Sequence, residues 1–328
     1  MPTGETPCKV IVIGGSQGAI EALLQLVPSL PAGLPAAIGL VVHVPVDADS
    51  YLPNILRRRS PIPADHARDG EAIEAGRIYI APPNHHLTLE RHTVRVTRGP
   101  RENRHRPAID PLFRSAARSF GPRVIAVLLS GNLDDGAAGT LAVRTRGGIS
   151  IVQDPSDAQV SEMPQRALEY AGADYVLPVA AIASKIVELT ESRGAAMKKR
   201  SKPADPSASE VRKNEESSYV GEGNGRPSVF ACPECHGVLW EVKDNKMTRF
   251  RCRVGHGYTA SALKGELDVS SERALWAAMR ALEEKAAMTR RMIDSGSGPK
   301  PYLERLAEQA KADLENAHII RKMIFAQE

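Results

Sequence analysis

Residues 9–191 alternate short apolar runs with segments of helical periodicity, and this alternation constrains the fold more than any other feature of the sequence. The runs are rich in Val, Ile and Leu without regular polar positions, which is typical of strands covered on both faces. The pattern predicts an α/β fold with a doubly wound, mainly parallel sheet. The predicted strands are 10–13, 37–44, 77–81, 124–129 and 149–153, the predicted helices are 19–27, 51–58, 110–119, 137–145 and 165–171, and 86–89 with 93–96 predict an inserted hairpin.

The chain of 328 residues is long for one compact domain, and its 42% hydrophobic and 25% charged residues are ordinary for a globular protein. No apolar run approaches the roughly 20 residues that span a bilayer, and the N-terminus lacks the features of a signal peptide. A net charge of +4 is small for this length, which argues against a dedicated nucleic-acid binder. We therefore expect a cytoplasmic protein with no membrane insertion and no nucleic-acid partner.

Composition divides the chain into four segments. Residues 1–191 carry the strand and helix pattern, and residues 192–228 are rich in Ser, Pro, Gly and charge, which predicts a flexible linker. Residues 229–258 hold three of the four cysteines. Residues 259–328 predict a helical hairpin broken at "DSGSGPKP", and its apolar stripes either pack on each other or bind a partner or a second copy.

The first strand runs into the glycine turn "GGSQGA", which permits two interpretations. A dinucleotide-binding turn needs a second glycine where Ser16 stands, and an acidic residue at the end of the next strand, where His43 stands. Both mismatches argue against a nucleotide-binding oxidoreductase. The same letters fit G-x-S-x-G, in which a tight strand-to-helix turn holds a serine hydroxyl outward as a nucleophile. By itself the turn is weak support, because a serine in a glycine turn is more often a helix N-cap than a nucleophile.

Two further strand ends carry the partners that a serine nucleophile needs. His43 closes the second apolar strand, and "VLLSGNLDDGAAG" places Asp134 and Asp135 in a turn after a later one. Carboxyl ends of neighbouring parallel strands face one crevice, so these side chains are expected to meet Ser16. Helix capping by the aspartates is the alternative. Serine, histidine and aspartate at three strand ends favour a catalytic triad, in a chain order that differs from the α/β-hydrolases.

These residues and their surroundings resemble the catalytic domain of the chemotaxis protein-glutamate methylesterases, the CheB family. The resemblance spans residues 9–186 and is carried by "VIGGSQGAIEAL", "VVHVP", "DGEAIEAGRIYIAPPNHHLTL", "NRHRPAIDPLFRSAA", "VLLSGNLDDGAAG" and "SEMPQRAL". It implies hydrolysis of γ-glutamyl methyl esters on chemoreceptors, together with glutamine deamidation, and no cofactor for catalysis. It assigns Ser16 as nucleophile, His43 as base and Asp135 as orienting acid, because the family's aspartate immediately precedes a glycine. The implied partners are methylated chemoreceptor cytoplasmic domains, with a receptor methyltransferase as a further candidate.

The chain departs from the pattern of that family at two positions beside the turns. Gln17 stands where Thr or Ala is common, and Asn132 stands where methionine is common. These departures keep open a second hypothesis, a catalytically weak scaffold that binds signalling partners. Since the first strand begins near residue 9, we also expect no receiver domain ahead of it, and hence no control by phosphorylation in cis. The arginines of "NRHRP" either contact an acidic receptor helix or are solvated.

A cysteine-rich segment follows the linker. "CPEC" and "RCRVGHGY" give C-x₂-C and C-x₃-H, a spacing that suits tetrahedral zinc with all positions filled, and hence a structural role. Reduced free thiols are the alternative. Three arginines lie nearby (Arg249, Arg251 and Arg253), but no long basic run accompanies them, so a protein-interaction or autoinhibitory module is favoured over nucleic-acid binding. The predicted ligands are Cys232, Cys235, Cys252 and His256.

Overall fold

The computed structural model of the chain describes residues 9–44, 50–191, 225–244, 247–296 and 298–325. They fall into two compact units, divided between Leu263 and Lys264. Most of the predicted linker, residues 192–224, lies outside the described residues.

The first unit contains a seven-stranded sheet that is parallel throughout. Its strands and an inserted hairpin are β1 (Lys9–Gly15), β2 (Ala36–Val42), β3 (Ala64–His66), β4 (Arg77–Ile80), β5 (His86–Leu89), β6 (Val94–Thr97), β7 (Val124–Leu128), β8 (Ile149–Gln153) and β9 (Tyr175–Leu177). The helices are α1 (Ala19–Leu26), α2 (Leu52–Arg57), α3 (Ile109–Phe120), α4 (Ala137–Thr145), α5 (Glu162–Tyr170) and α6 (Val179–Glu191). The strand order β3-β4-β2-β1-β7-β8-β9 confirms the predicted doubly wound fold.

Helices cover both faces of the sheet. Along β1, Val10 and Val12 join a buried cluster with α3, α4 and α5, whereas Ile11 and Ile13 join a cluster with α1, α2 and α6. Successive strand side chains point to opposite faces. A strand buried on both faces therefore has no polar position, which explains the continuous apolar runs in the sequence.

The structure adds three elements that the sequence analysis did not predict. Strands β3 and β9 have three residues each and form the two edges of the sheet. They are too short to show a periodic pattern. Helix α6 does carry a readable apolar stripe of Val179, Ile182, Ala183 and Ile186, and it was missed. The predicted hairpin is confirmed, since β5 pairs with β6 in antiparallel fashion.

The cysteine segment folds as a four-stranded antiparallel sheet within the first unit. Its strands are β10 (Arg226–Ala231), β11 (Val238–Asp244), β12 (Met247–Cys252) and β13 (Gly257–Thr259), and we call residues 226–259 the ribbon module. Strand β10 begins inside the segment predicted as linker. Met247 of the ribbon module is buried in the same apolar cluster as α3 and α4, so the module packs on the parallel-sheet domain.

Two long helices follow, α7 (Ala260–Asp294) and α8 (Lys300–Phe325), separated at the predicted break. Within the second unit several apolar residues at helical spacing are buried, namely Met279, Ala286, Ala310, Ala317 and Ile324. This burial favours the interpretation in which the two helices pack on each other. Among the described residues no helix is both long and apolar enough to cross a membrane.

Close packing of β1 against α3 gives a first prediction. An ideal Cβ on Gly14 would lie 2.3 Å from Ile109 Cγ2, whereas a Cβ on Gly33 would meet nothing within 4 Å. Gly14→Ala should lower the free energy of unfolding by about 1–3 kcal/mol, because the α3 side chain has to shift. Gly33→Ala is the matched control and should change it by less than about 1 kcal/mol. Urea unfolding measures both, and equal midpoints for the two variants would contradict the prediction.

Candidate active site

Ser16 lies in a three-residue turn between β1 and α1. Gly18 has the left-handed φ of 79° and stands immediately before α1, and Ala19 N–H donates to Ser16 O at 3.0 Å. A Cβ on Gly18 would lie 2.6 Å from Ser130 Oγ, so both conformation and space require glycine there. The turn thus holds Ser16 at the carboxyl edge of the sheet, in front of the N-terminus of α1.

Hydrogen bonds of Ser130 connect this turn to the loop after β7. Ser16 N–H donates to Ser130 O at 2.9 Å, and Ser130 Oγ donates to Gln17 O at 2.8 Å. The same hydroxyl accepts from Val160 N–H at 2.8 Å. Ser130 was not among the residues predicted from the sequence, although a serine in a turn after an apolar strand often bonds the backbone through its hydroxyl.

His43 emerges beside Ser16 from the neighbouring strand. The parallel register pairs Gly15 with Val42, and His43 N–H donates to Gly15 O at 3.2 Å. The side chain of His43 is 5% exposed, and its Nε2 lies 2.8 Å from Asp135 Oδ2. Its Nδ1 is buried, and no residue of the described chain hydrogen-bonds to it. Because an ionised Asp135 only accepts, Nε2 carries the proton and Nδ1 carries a lone pair.

Asp135 is held as a carboxylate by a ring of donors. Its oxygens accept from the N–H groups of Ile109 at 2.7 Å, Asp110 at 3.2 Å and Gly136 at 3.0 Å, and from Asn103 Nδ2 at 3.0 Å. Burial alone would raise the pKa of Asp135, but the hydrogen bond and charge of His43, followed by the other donors, bring this pKa below its usual range. Two of these donors belong to the first turn of α3, whose dipole also favours the negative charge.

The adjacent aspartate has a different partner. Asp134 Oδ1 accepts from Thr259 Oγ1 of the ribbon module at 2.7 Å, and Asp134 is buried. Of the two aspartates in the turn, Asp135 therefore contacts His43 and Asp134 contacts the ribbon module.

A second histidine lies on the first. The rings of His43 and His105 stack with centroids 3.6 Å apart and planes 11° apart. Burial, followed by the nearby charge of His43, lowers the pKa of His105 to about 3, so His105 is neutral near physiological pH. A neutral ring on this face restricts the movement of His43 without competing for its proton.

Other residues of the same sequence motifs have structural partners. His86 Nδ1 accepts from Ala108 N–H at 3.3 Å and its Nε2 donates to Pro100 O at 2.8 Å. Arg106 donates to Asn84 Oδ1 and to Gly99 O. Arg106 is therefore held by groups of neighbouring loops, and the two interpretations of the "NRHRP" arginines stay predictions.

The two unusual residues of the turns contact each other. Asn132 Nδ2 donates to Gln17 Oε1 at 2.7 Å in an exposed hydrogen bond. The pair bridges the turn after β1, which contains Ser16, and the loop after β7.

The four predicted metal ligands come together in the ribbon module. Ligand atoms of Cys232, Cys235, Cys252 and His256 all lie within 4.8 Å of one another. The separations include 3.6 Å between the sulfurs of Cys235 and Cys252, and 3.5 Å between Cys252 Sγ and His256 Nδ1. A tetrahedral zinc site with Zn–S bonds of about 2.3 Å places its ligand atoms about 3.5–3.8 Å apart. His256 Nε2 faces Glu234 at 3.6 Å, the kind of carboxylate that orients a ligating imidazole.

Glu102 forms a buried ionic cluster beside the site. Its carboxylate lies 2.6 Å from Arg114 of α3, 3.1 Å from Arg251 and 3.4 Å from Arg249. Burial opposes its charge, but the three arginines outweigh burial and hold the pKa of Glu102 far below its usual range. Two of the three arginines once considered for nucleic acid are therefore occupied within the chain.

A parallel α/β sheet whose carboxyl edge carries a serine turn beside a buried histidine–carboxylate pair has the architecture of a serine hydrolase. The chain belongs to the CheB methylesterase family, whose model, described as CheB methylesterase, matches residues 11–186.

Relatives from several bacteria agree with this assignment. The chain is 38% identical over 195 residues to protein-glutamate methylesterase/protein-glutamine glutaminase 4 of Anaeromyxobacter dehalogenans, covering 58% of this chain and 54% of that protein. It is 36% identical over 190 residues to protein-glutamate methylesterase/protein-glutamine glutaminase 2 of Pseudomonas aeruginosa, covering 57% and 54%. The match thus spans about half the length of these two relatives. The crystal structure of the Thermotoga maritima CheB methylesterase catalytic domain matches with 35% identity and a TM-score of 0.54, covering 55% of this chain and 98% of that one.

The Glu102 cluster gives a second prediction. Glu102→Gln removes the buried negative charge that faces three partly buried arginines, and should lower the free energy of unfolding near neutral pH by about 3–5 kcal/mol. Because the folded-state pKa of Glu102 is depressed, its contribution is complete above the unfolded-state pKa of about 4.3 and is lost as the pH falls below it. The difference in the free energy of unfolding between Glu102→Gln and wild type, measured with denaturant, should therefore become smaller only below about pH 4. Glu90→Gln, at an exposed position, is the control; a penalty that is the same at all pH values would contradict the assignment.

Proposed function

We propose that this chain is a serine esterase that hydrolyses γ-glutamyl methyl esters on methyl-accepting chemoreceptors. Ser16 acts as the nucleophile, His43 as the general base and Asp135 as the group that orients His43. The observation that carries the proposal is the 2.8 Å hydrogen bond between His43 Nε2 and Asp135 Oδ2, at the sheet edge where β1 delivers Ser16. The names of the relatives give the substrate chemistry.

The roles follow from which nitrogen of His43 is free. Asp135 takes up Nε2–H, so Nδ1 is the atom that accepts the Ser16 proton as Oγ attacks the ester carbonyl. Nδ1 then returns this proton to the departing methoxide, and methanol leaves. Water attacks the acyl-enzyme and gives a proton to Nδ1, and Nδ1 passes this proton to Ser16 Oγ as the Ser16–acyl bond breaks and the glutamate is released. No step of this sequence draws on a cofactor.

The tetrahedral intermediate needs donors for its oxyanion. The N-terminus of α1 directs its dipole at Ser16, and the loop after β7 lies across the turn, held there by Ser130. We assign the oxyanion to backbone N–H groups of these two turns, with Asn132 contributing through its backbone. Loss of one such donor typically costs about 10²–10³ in rate.

The same acyl chemistry accommodates an amide. If glutamine replaces the methyl ester, ammonia leaves in place of methanol and the products again include glutamate. Methylated chemoreceptor cytoplasmic domains are the proposed partners, and a receptor methyltransferase is a further candidate. A cytoplasmic location stays a prediction.

The ribbon module is proposed to hold a structural zinc ion. Cys232, Cys235, Cys252 and His256 supply a complete tetrahedral set, which leaves no position open for a substrate. The zinc would supply folding energy to a segment too small to be stable through its own core.

The scaffold hypothesis retains one specific observation, the Gln17–Asn132 hydrogen bond across the mouth of the two turns. A bridged pair beside Ser16 could restrict entry of a substrate. Labelling of Ser16 by a serine-directed phosphonate separates the two functions, because only an activated serine reacts.

The third prediction concerns the proposed triad. Ser16→Ala should abolish methanol release from methylated receptor domains, and Asp135→Asn should lower kcat by about 10⁴, because the imidazole loses its tautomer. Ser156→Ala, at an exposed serine outside the site, is the control. Circular dichroism checks that each variant folds. Methanol release by Ser16→Ala at the wild-type rate would exclude the mechanism.

The fourth prediction concerns the metal. The purified chain should contain about one zinc ion, and Cys235→Ser should lose it. Zinc content is measured by inductively coupled plasma mass spectrometry, with His236→Asn as a neighbouring control outside the ligand group. Chelation should also change the fluorescence of Trp240, which lies in β11. Zinc-free protein with freely titrating thiols would support the reduced-cysteine alternative instead.

A further inference from the structure

The ribbon module makes a backbone contact with the loop that precedes α3. Gly257 N–H donates to Arg101 O at 3.2 Å, and Asn103 N–H donates to Gly257 O at 2.8 Å. Gly257 immediately follows His256, one of the four proposed metal ligands, and Cys252 N–H bonds His256 O at 3.0 Å. The turn that presents a ligand to the metal therefore also sets the position of the residues at 101–103.

Asn103 carries this contact into the esterase site. Its Oδ1 accepts from Thr259 N–H at 3.0 Å, and its Nδ2 donates to Asp135 Oδ1 at 3.0 Å and to Asp110 Oδ2 at 3.1 Å. The amide has one possible orientation, because an N–H only donates and an ionised carboxylate only accepts. Asn103 is 3% exposed and has a left-handed φ of 49°, a conformation that asparagine tolerates better than most residues.

Thr259 contacts the aspartate turn directly as well. Its Oγ1 donates to Asp134 at 2.7 Å and accepts from Ala262 N–H at 3.1 Å, which caps the start of α7. The ribbon module therefore reaches both aspartates of the turn, Asp134 directly and Asp135 through Asn103. The Glu102 cluster fixes the same interface, because its arginines come from β12 and from α3.

We propose that the ribbon module contributes to catalysis at the esterase site. Gly257 and Thr259 hold Asn103, and Asn103 is a positioning residue for Asp135. The inference rests on the proposed esterase function. In this proposal the metal would act indirectly. Metal binding would fix the turn at His256, and this turn positions Thr259. Thr259 in turn orients the Asn103 amide that donates to Asp135. Full turnover then requires the loaded ribbon module.

The Asn103 amide donates to two neighbouring carboxylates, those of Asp110 and Asp135, and their surroundings explain its role. Burial, followed by the charge of Asp135, raises the pKa of Asp110 to about 7. Asp110 also accepts from Gly136 N–H at 3.1 Å and Gly139 N–H at 2.7 Å. Both carboxylates are fully buried and compete for the donors of one turn. Without the Asn103 amide, Asp135 Oδ1 keeps only the backbone N–H groups of Asp110 and Gly136, so the alignment of the carboxylate with His43 Nε2 is held less tightly.

The test uses the full chain loaded with zinc, and measures kcat and KM for methanol release from methylated receptor domains. Its variants are Asn103→Ala, which removes the connection, Cys235→Ser, which removes a ligand, and His236→Asn, an adjacent control outside the ligand group. The wild-type chain is also stripped with a chelator and reloaded with zinc. A second readout is the proton NMR resonance of His43 Nε2–H, which reports the hydrogen bond to Asp135 and would not respond to a merely structural role.

We expect kcat to fall about ten- to a hundredfold in Asn103→Ala, in Cys235→Ser and in the stripped wild type, with little change in KM. The Nε2–H resonance should shift in the same three samples, and zinc should restore the stripped wild type but not Cys235→Ser. Unchanged kcat and resonance in zinc-free wild type, or in Asn103→Ala, would overturn the inference. A rise in kcat on zinc removal would also overturn the inference, because the ribbon module would then inhibit the site.

The design separates this inference from the proposed function. Ser16→Ala in the same assay establishes whether methanol release depends on the serine at all. If the loaded wild type releases no methanol, the proposed function fails, and the Nε2–H resonance alone still decides the coupling. If wild type is active and Ser16→Ala is not, while Asn103→Ala behaves as wild type, the inference fails and the proposed function stands. Should Cys235→Ser fail to fold, Asn103→Ala and the stripped wild type provide the decision.

Discussion

The site depends on the parallel pairing of β1 with β2 on one side and β7 on the other. The register joins Gly15 to Val42 and Gly14 to Leu128, so the three strands end at one level. Ser16, His43 and the turn of Asp135 consequently leave the sheet at the same edge, at the point where the strand order reverses. A slip of one residue in β1 would exchange its two buried faces, so the packing of both helix layers also enforces the alignment of the site.

The triad candidates could be found from the sequence because each sits at the end of an apolar strand, and topology alone brings such ends together. The residues that hold the triad candidates in place could not be found in this way. Asn103 contacts Thr259, 156 residues further along the chain, and its side chain has a clear purpose only once the ribbon module is in place. His105 and Ser130 likewise depend on the final course of loops. The short strands β3 and β9 exist because a longer neighbour offers a ladder, which no local pattern records.

The turn after β7 brings several aspartates close together, and each of these carboxylates has different hydrogen-bond partners. Asp135 has the first turn of α3, Asn103 and His43, and Asp134 has Thr259. Asp110 accepts from N–H groups at the start of α4, and burial, followed by the charge of Asp135, raises its pKa to about 7. Neighbouring carboxylates whose pKa values are driven apart keep a single fixed charge facing His43. The ribbon module contributes to this balance, which links its folding to the electrostatics of the site.

Gln17 and Asn132 acquire a common explanation from their contact. Each departs from the residue type that the resemblance led us to expect, but together they form one hydrogen bond between the turn that contains Ser16 and the loop after β7. Since the bond is exposed, it adds little to stability. Its effect is geometric, because the Asn132 side chain links the loop after β7 to Gln17, the residue next to Ser16. The two departures therefore suit each other, whereas replacement of Asn132 alone would remove the donor that Gln17 Oε1 has in this structure.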